Sequence, residues 1–234
     1  VPLFDNKSFT YDGVSDRLEI NRTLGNGFSE LSISTWVKYN NNLATSNQYH
    51  PIVAKIGATF GSSFVLQNMR SGASSNGGEL YFGVITDNGT FNAFSGVVPS
   101  QNVWYNVMGT YDGSNVKIYI DGVLKGTLSA TGNILTTNTL IYLGDSGYGG
   151  FSQFFNGSIN DVSIFDTDQS ANALTIFNGG VPNDISALSP LGYWRAEQVT
   201  FDGTDWTLID QGSGGNNGTS VSMPLTSRTS DVPT

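Results

Sequence analysis

Any chemistry in this chain would have to come from carboxylates, because other reactive groups are scarce. Cysteine is absent, which removes thiol catalysis, thiolate metal sites and disulfides together. His50 is the sole histidine, so a Ser-His-Asp relay would rest on it alone. Set in Asn47-Gln48-Tyr49-His50-Pro51, it reads as a loop residue that contacts solvent or ligand. Glycoside hydrolysis asks for two carboxylates flanking the scissile bond; on one strand face these would stand two residues apart. The glutamates are Glu19, Glu30, Glu79 and Glu197, none with a carboxylate two positions away. The closest Asp pair, Asp166 and Asp168, stands at the entry to a helical pattern and reads as turn and cap chemistry. The chain is therefore expected not to be an enzyme.

Binding chemistry is better represented. Sugars are held by an exposed aromatic face beside a few polar groups. Tyr49, His50, Tyr148 and Phe151 fall in loop-like stretches, with Asp145, Asn47 and Gln48 near them. The loop Gly144–Phe151, GDSGYGGF, is the leading ligand candidate, since four glycines leave Tyr148 on an adaptable tip. Most of the 14 Phe, 10 Tyr and 4 Trp must nevertheless fill a core. Trp36 and Trp104, set within strand patterns, are assigned to it.

The elements that would position these groups are strands. Between Val103 and Thr127 two Asp-Gly pairs, Asp112-Gly113 and Asp121-Gly122, each sit between alternating apolar and polar residues, a strong hairpin signal. The segment predicts three antiparallel strands in succession. Similar short runs recur at Ser8–Tyr11, Arg17–Ile20, Leu31–Tyr39, Ile52–Lys55, Ser63–Met69, Glu79–Thr86, Thr90–Ser95, Leu140–Leu143 and Phe155–Phe165, separated by Asn-Gly and Asp-Gly turns. One helix is predicted near residues 170–178, capped by Ser170, with Leu174 and Phe177 on one face and Gly179-Gly180 as its stop. So many short strands with one helix imply an all-β fold, an antiparallel two-sheet jelly-roll sandwich.

Length and charge agree. A chain of 234 residues suits one large all-β domain. Only 12% of residues are charged, with a net charge of -9 and Lys and Arg scattered singly, which argues against a nucleic-acid partner. No apolar run approaches the ~20 residues of a membrane span. The opening Val1-Pro2 suggests a fragment or a processed chain. Five N-x-S/T sequons, at Asn6, Asn21, Asn88, Asn156 and Asn217, are what an Asn-, Ser- and Thr-rich chain produces by chance.

Three segments together resemble the concanavalin A-like lectin/glucanase superfamily, in its laminin G-like branch. They are FTYDGVSD from Phe9 with LSISTWVKY from Leu31, the two-turn meander, and FNGSINDVSIFDTDQSANALTIFNGG from Phe155 to Gly180. The resemblance covers about residues 8–180 and specifies the fold more than a function. It implies a structural calcium ion held by carbonyls near the Asp12-Gly13 turn and by the Asn160-Asp161 pair. Asn160 stands where the family usually has Asp, and an amide oxygen still suits calcium.

The tail carries a second resemblance. LGYWRAEQ followed by DQGSGGNNGTS is similar to a segment that usually opens such a domain, yet here it comes last. One expectation is a single domain over 1–234, with 191–220 closing the sandwich as a displaced first strand. The alternative is that 191–234 starts a following module. The stretch DQGSGGNNGTS reads as a loop and the end from Thr226 as frayed. The wording GGVPNDISALSPLGYWR is similar to modules in marine bacteriophage structural proteins. This implies a non-catalytic binding or structural module on a virion surface, a capsid decoration or fibre that contacts other virion proteins or a cell-surface glycan, with a homo-oligomer among its expected forms. A secreted bacterial carbohydrate-binding or adhesion module, extracellular in either case, is the competing expectation.

Overall fold

The computed structural model describes residues 7–57, 62–72, 75–147 and 153–234. Sixteen strands form there: β1 Ser8–Asp12, β2 Arg17–Ile20, β3 Leu31–Tyr39, β4 Pro51–Lys55, β5 Phe64–Asn68, β6 Leu80–Thr86, β7 Gly89–Phe94 and β8 Trp104–Tyr111, then β9 Asn115–Ile120, β10 Val123–Ser129, β11 Ile141–Leu143, β12 Asn156–Phe165, β13 Gly192–Phe201, β14 Trp206–Asp210, β15 Gly218–Val221 and β16 Arg228–Thr229. One helix, α1, spans Ala173–Phe177. Among the described residues no helix is long and apolar enough to cross a membrane.

The meander forms as its turns demand. At the β9–β10 corner Asp121 and Gly122 both take positive φ, 52° and 73°, which matches the twist of the flanking strands. At the β8–β9 corner the Asp112 carboxylate accepts the amides of Ser114 and Asn115 at 2.9 and 2.7 Å. Val116, Ile118 and Ile120 of β9 are then buried on one face.

All pairings are antiparallel and run in the order β10-β9-β8-β3-β12-β13-β14-β15-β2-β11-β4-β5-β6-β7. The path doubles back, so that Ile33, Val37, Val107 and Ile118 of the first layer share one core with Val53, Phe64, Leu66 and Phe82 of the second. This is the expected jelly-roll sandwich. β13 joins the layers: Gly192–Trp194 pairs with Val162–Ile164 of β12, and Val199–Phe201 pairs with Trp206–Leu208 of β14. β1 takes the remaining length of the same β12 edge, with Phe9 opposite Ile159 and Asp12 opposite Asn156.

Three details depart from expectation. The helix has five residues, and its inward face is Ala173 and Ile176, whereas Leu174 is 68% exposed. Ser170 does not cap it; its amide and hydroxyl both donate to Asp168. The tail after Gly203 is not loop alone, because Gly218–Ser220 lies in β15 against β2 and Arg228–Thr229 pairs with β1. What organises it is the alternation Trp206, Leu208, whose side chains join the core while the Trp206 amide donates to the Ser220 hydroxyl at 2.7 Å.

The outer face of the first layer is partly covered. Met108, Tyr119, Phe165 and Tyr193 form a second apolar cluster with Ala173, Ile176 and Ile185 from the helix and the segment after it. The outward row Thr10, Ser158, Lys38, Trp104 lies outside that cover.

Candidate functional site

The outer face of the second layer carries a continuous row of side chains. Register places Thr219 opposite Glu19, Glu19 opposite Tyr142, Tyr142 opposite Ala54, Ala54 opposite Val65, Val65 opposite Gly83, and Gly83 opposite Asn92. Their strand neighbours Leu18, Ile20, Leu143, Val53, Leu66, Phe82 and Val84 all enter the core, so this row points outward. A second row runs Gln67, Tyr81, Phe94.

At the β2–β11 end the row becomes charged. Arg17 Nε lies 2.9 Å from Glu19 Oε1 and 3.7 Å from Asp145 Oδ2. Burial pushes the Asp145 carboxyl up from its usual range, against the amides of Gly147 and Ser146 and the Arg17 charge, which pull it down. Tyr142, half-buried beside them, has its phenol raised by burial and then by the charges of Glu19 and Asp145. The loop backbone at Gly147 (φ 67°) lies on the Tyr142 ring; an added Cβ there would come within 2.2 Å of it. A planar guanidinium wedged between two carboxylates presents donors and acceptors in a fixed fork beside an aromatic edge, the equipment that reads vicinal hydroxyls. Further along, Gln67 is 5% exposed and one end of its amide bonds the Tyr81 hydroxyl. The other end has no partner among the described residues.

Of the residues singled out from sequence, Asp145 belongs to this cluster, and Tyr49 is half-buried within electrostatic reach of Tyr81. Tyr148 and Phe151 lie outside the described residues. His50 is not a surface loop residue: it is 2% exposed. Its Nδ1 donates to the Phe154 carbonyl at 3.0 Å, leaving Nε2 to accept from Asn41 and Ser46 at 2.8 and 2.9 Å. Burial lowers its pKa, and its ring has nothing left to offer a ligand. Trp104, assigned to the core, is half-exposed on the outer face of the first layer, while Trp36 is buried beneath Phe177 at 5.9 Å. Arg17, Glu19, Tyr142 and Gln67 were missed. Their signal was the period of two in Arg17-Leu18-Glu19-Ile20 and Ile141-Tyr142-Leu143, which aims them out. Pairs of acids sought within one strand could not reveal Glu19 and Asp145, which meet across strands.

The expected calcium residues do not assemble. Gly13 packs against the Asn156 side chain, and Asn160 lies four residues further along β12, roughly 13 Å away. The Asp12 carboxylate is filled by its own turn, accepting the amides of Val14, Ser15 and Asp16 at 2.8, 2.8 and 3.1 Å. Burial opposes its ionisation, but these amides win and hold its pKa below the usual value. Asn160 Oδ1 accepts the Asp161 amide at 2.9 Å, and Asp161 faces Arg195 Nε at 3.5 Å. A guanidinium there disfavours a second cation. These four residues do not fit the ion, and among the described residues no group of three acidic, His or Cys side chains comes together.

Residues 12–175 match the family model of the concanavalin A-like lectin/glucanases superfamily. The chain belongs to that superfamily. Its fold is shared with a Bacteroides ovatus protein thought to bind carbohydrate, at a TM-score of 0.70 and 19% identity, covering 99% of this chain and 62% of the other. Domain 4 of an extracellular arabinanase from Geobacillus stearothermophilus, solved with arabinotriose, aligns at a TM-score of 0.53 and 18% identity, over 72% and 75% of the two chains. Domains LG4-5 of the mouse laminin alpha1 chain align at 0.52 and 12%, over 68% and 41%. The chain thus spans 62% of the length of the Bacteroides protein. Among curated proteins none matches the sequence.

Proposed function

We propose that the chain is a non-catalytic module that binds a glycan across the outer face of its second layer. The observation that carries this is Arg17 seated between Glu19 and Asp145, beside the half-buried Tyr142 ring. The unpartnered end of the Gln67 amide, three strands away, supports a ligand that crosses strands. That span is roughly 14 Å from β2 to β5, the reach of a short oligosaccharide. Arg17 bridges the two acids, so neither is isolated in the manner of a general acid. Structural relatives thought to bind or solved with saccharides point the same way.

The setting we propose is a virion surface, with a cell-surface glycan and other virion proteins as partners; a secreted bacterial adhesion module would use the same face. Binding to a panel of neutral and acidic oligosaccharides, measured by calorimetry for wild type, Arg17→Ala and Tyr142→Ala, tests the reading. Loss of at least about tenfold in affinity in both variants, with melting temperature held, is expected from removing a half-buried hydrogen-bonding anchor or an aromatic contact. Wild-type affinity in either variant would overturn it.

A further inference from the structure

On the opposite layer, the C-terminal segment lies across the sheet and places one carboxylate in a built receptor. Register aligns Thr10, Ser158, Lys38 and Trp104 in one outward row across β1, β12, β3 and β8. The Asp231 carboxylate meets Lys38 Nζ and accepts from Trp104 Nε1 at 3.3 Å. Lys38 Nζ also sits 5.5 Å from the centre of the Trp104 ring. Only 14% of the Lys38 side chain is exposed, and burial lowers its pKa. An ammonium so placed needs an anion, and Asp231 is the anion the chain supplies.

We propose that Lys38 and Trp104 form a second ligand site, selective for a carboxylate-bearing sugar, that Asp231 occupies in the free protein. The indole N–H and the ammonium converge on one carboxylate, while the Thr10 hydroxyl, 3.3 Å from that of the buried Ser158 in the same row, continues the site toward neighbouring hydroxyl groups. That row of hydroxyls, suited to a polyhydroxylated ligand, favours an acidic sugar over a peptide carboxylate. β16 has two residues; beyond it the Ser8 hydroxyl donates to the Asp231 carbonyl and Lys7 Nζ to the Ser230 hydroxyl, both at 2.6 Å, and Pro233 is buried. The Asp231 side chain is 46% exposed, and an ion pair so open to water is weak. A ligand carboxylate therefore competes with an internal one rather than with a sealed core. This site is independent of the face proposed above, since it lies on the other layer and has its own reporter.

The test is titration of tri-galacturonate and its methyl ester into wild type and Asp231→Asn, reading the Trp104 indole N–H resonance, assigned with Trp104→Phe. Removing an internal competitor at millimolar effective concentration should tighten tri-galacturonate binding by at least about tenfold. The methyl ester should not bind, and Lys38→Ala in the Asp231→Asn background should abolish the effect. Equal affinity in wild type and D231N, or equal binding of acid and ester, would overturn the proposal. So would a Trp104 response to a peptide carboxylate but not to the sugar. If D231N melts early, millimolar tri-galacturonate on the wild type decides, since it must then displace Asp231 and move the same resonance.

Discussion

Asp16, 4% exposed, accepts the Asp12 amide at 3.2 Å while Asp12 turns its own carboxylate onto the amides of residues 14–16. Two acids thus share one tight turn with unequal partners: Asp12 is well solvated by backbone, and Asp16 has one amide. Burial, then the Asp12 charge, raises Asp16 from 3.8 to about 6. A carboxyl raised in the folded state keeps its proton between about pH 4 and 6 while the unfolded chain releases it. Stability from this group is therefore greatest below that window and falls as pH rises through it, by up to roughly 3 kcal/mol. Asp16→Asn should raise the melting temperature at pH 7 and change it little at pH 4. Equal shifts at both pH values would remove Asp16 as the cause.

Lys55 makes the opposite kind of prediction. Fully buried, it donates to the carbonyls of Arg22 and Leu24 at 2.7 and 2.8 Å and to the Asn26 amide oxygen. It clamps the loop between β2 and β3 with no ion-pair partner among the described residues, and burial lowers its pKa to about 8. Lys55→Met would leave three acceptors without their donor, at a cost of about 3 kcal/mol or more. The folded chain gives up its Lys55 proton more readily, so wild-type stability should gain between about pH 8 and 10.5 from this group. Chemical denaturation across that range checks both points; a K55M variant as stable as wild type would contradict the clamp.

For calcium, the expected outcome is no effect. With Asp161 facing Arg195 and Asp12 Oδ1 taken by three amides, millimolar calcium has no assembled site among these residues through which to favour the native state. Melting curves with added calcium and with chelator should coincide. A calcium-dependent rise lost in Asp161→Asn would restore the site that the sequence resemblance implied.

The strands were legible because turn chemistry and period-two alternation are local. Asp121-Gly122 and the run Asn115–Ile120 announced their hairpin without reference to anything distant. Strands β14 to β16 were not legible in the same way, because DQGSGGNNGTS carries loop composition and only partnering with β14 and β2 makes Gly218–Ser220 extended. Sites are worse still. Arg17 and Asp145 are 128 positions apart in a pattern that alternation describes but does not pair, and their contact exists only because β2 and β11 are neighbours. His50 shows the reverse: a loop-like surrounding sequence, yet a ring enclosed by Asn41, Ser46 and Phe154.

The last prediction concerns the tail, which we propose closes this sandwich as a displaced first strand. Trp194 is 1% exposed, belongs to the main core with Leu208, and donates from Nε1 to the Asn216 carbonyl at 2.8 Å. Trp206 packs edge-on against Phe9 of β1 at 5.5 Å. Trp194→Ala should cost about 3–5 kcal/mol through lost burial and the cavity left behind. Deleting residues 191–234 goes further: it strips β13 from β12 at Val162–Ile164 and β15 from β2 at Arg17–Glu19. Two bare edges on an opened core invite pairing between molecules. Size-exclusion chromatography and thermal melting should then show aggregates and an early, broad transition. A truncated chain that stays monomeric and melts like the full one would assign residues 191–234 to a following module instead.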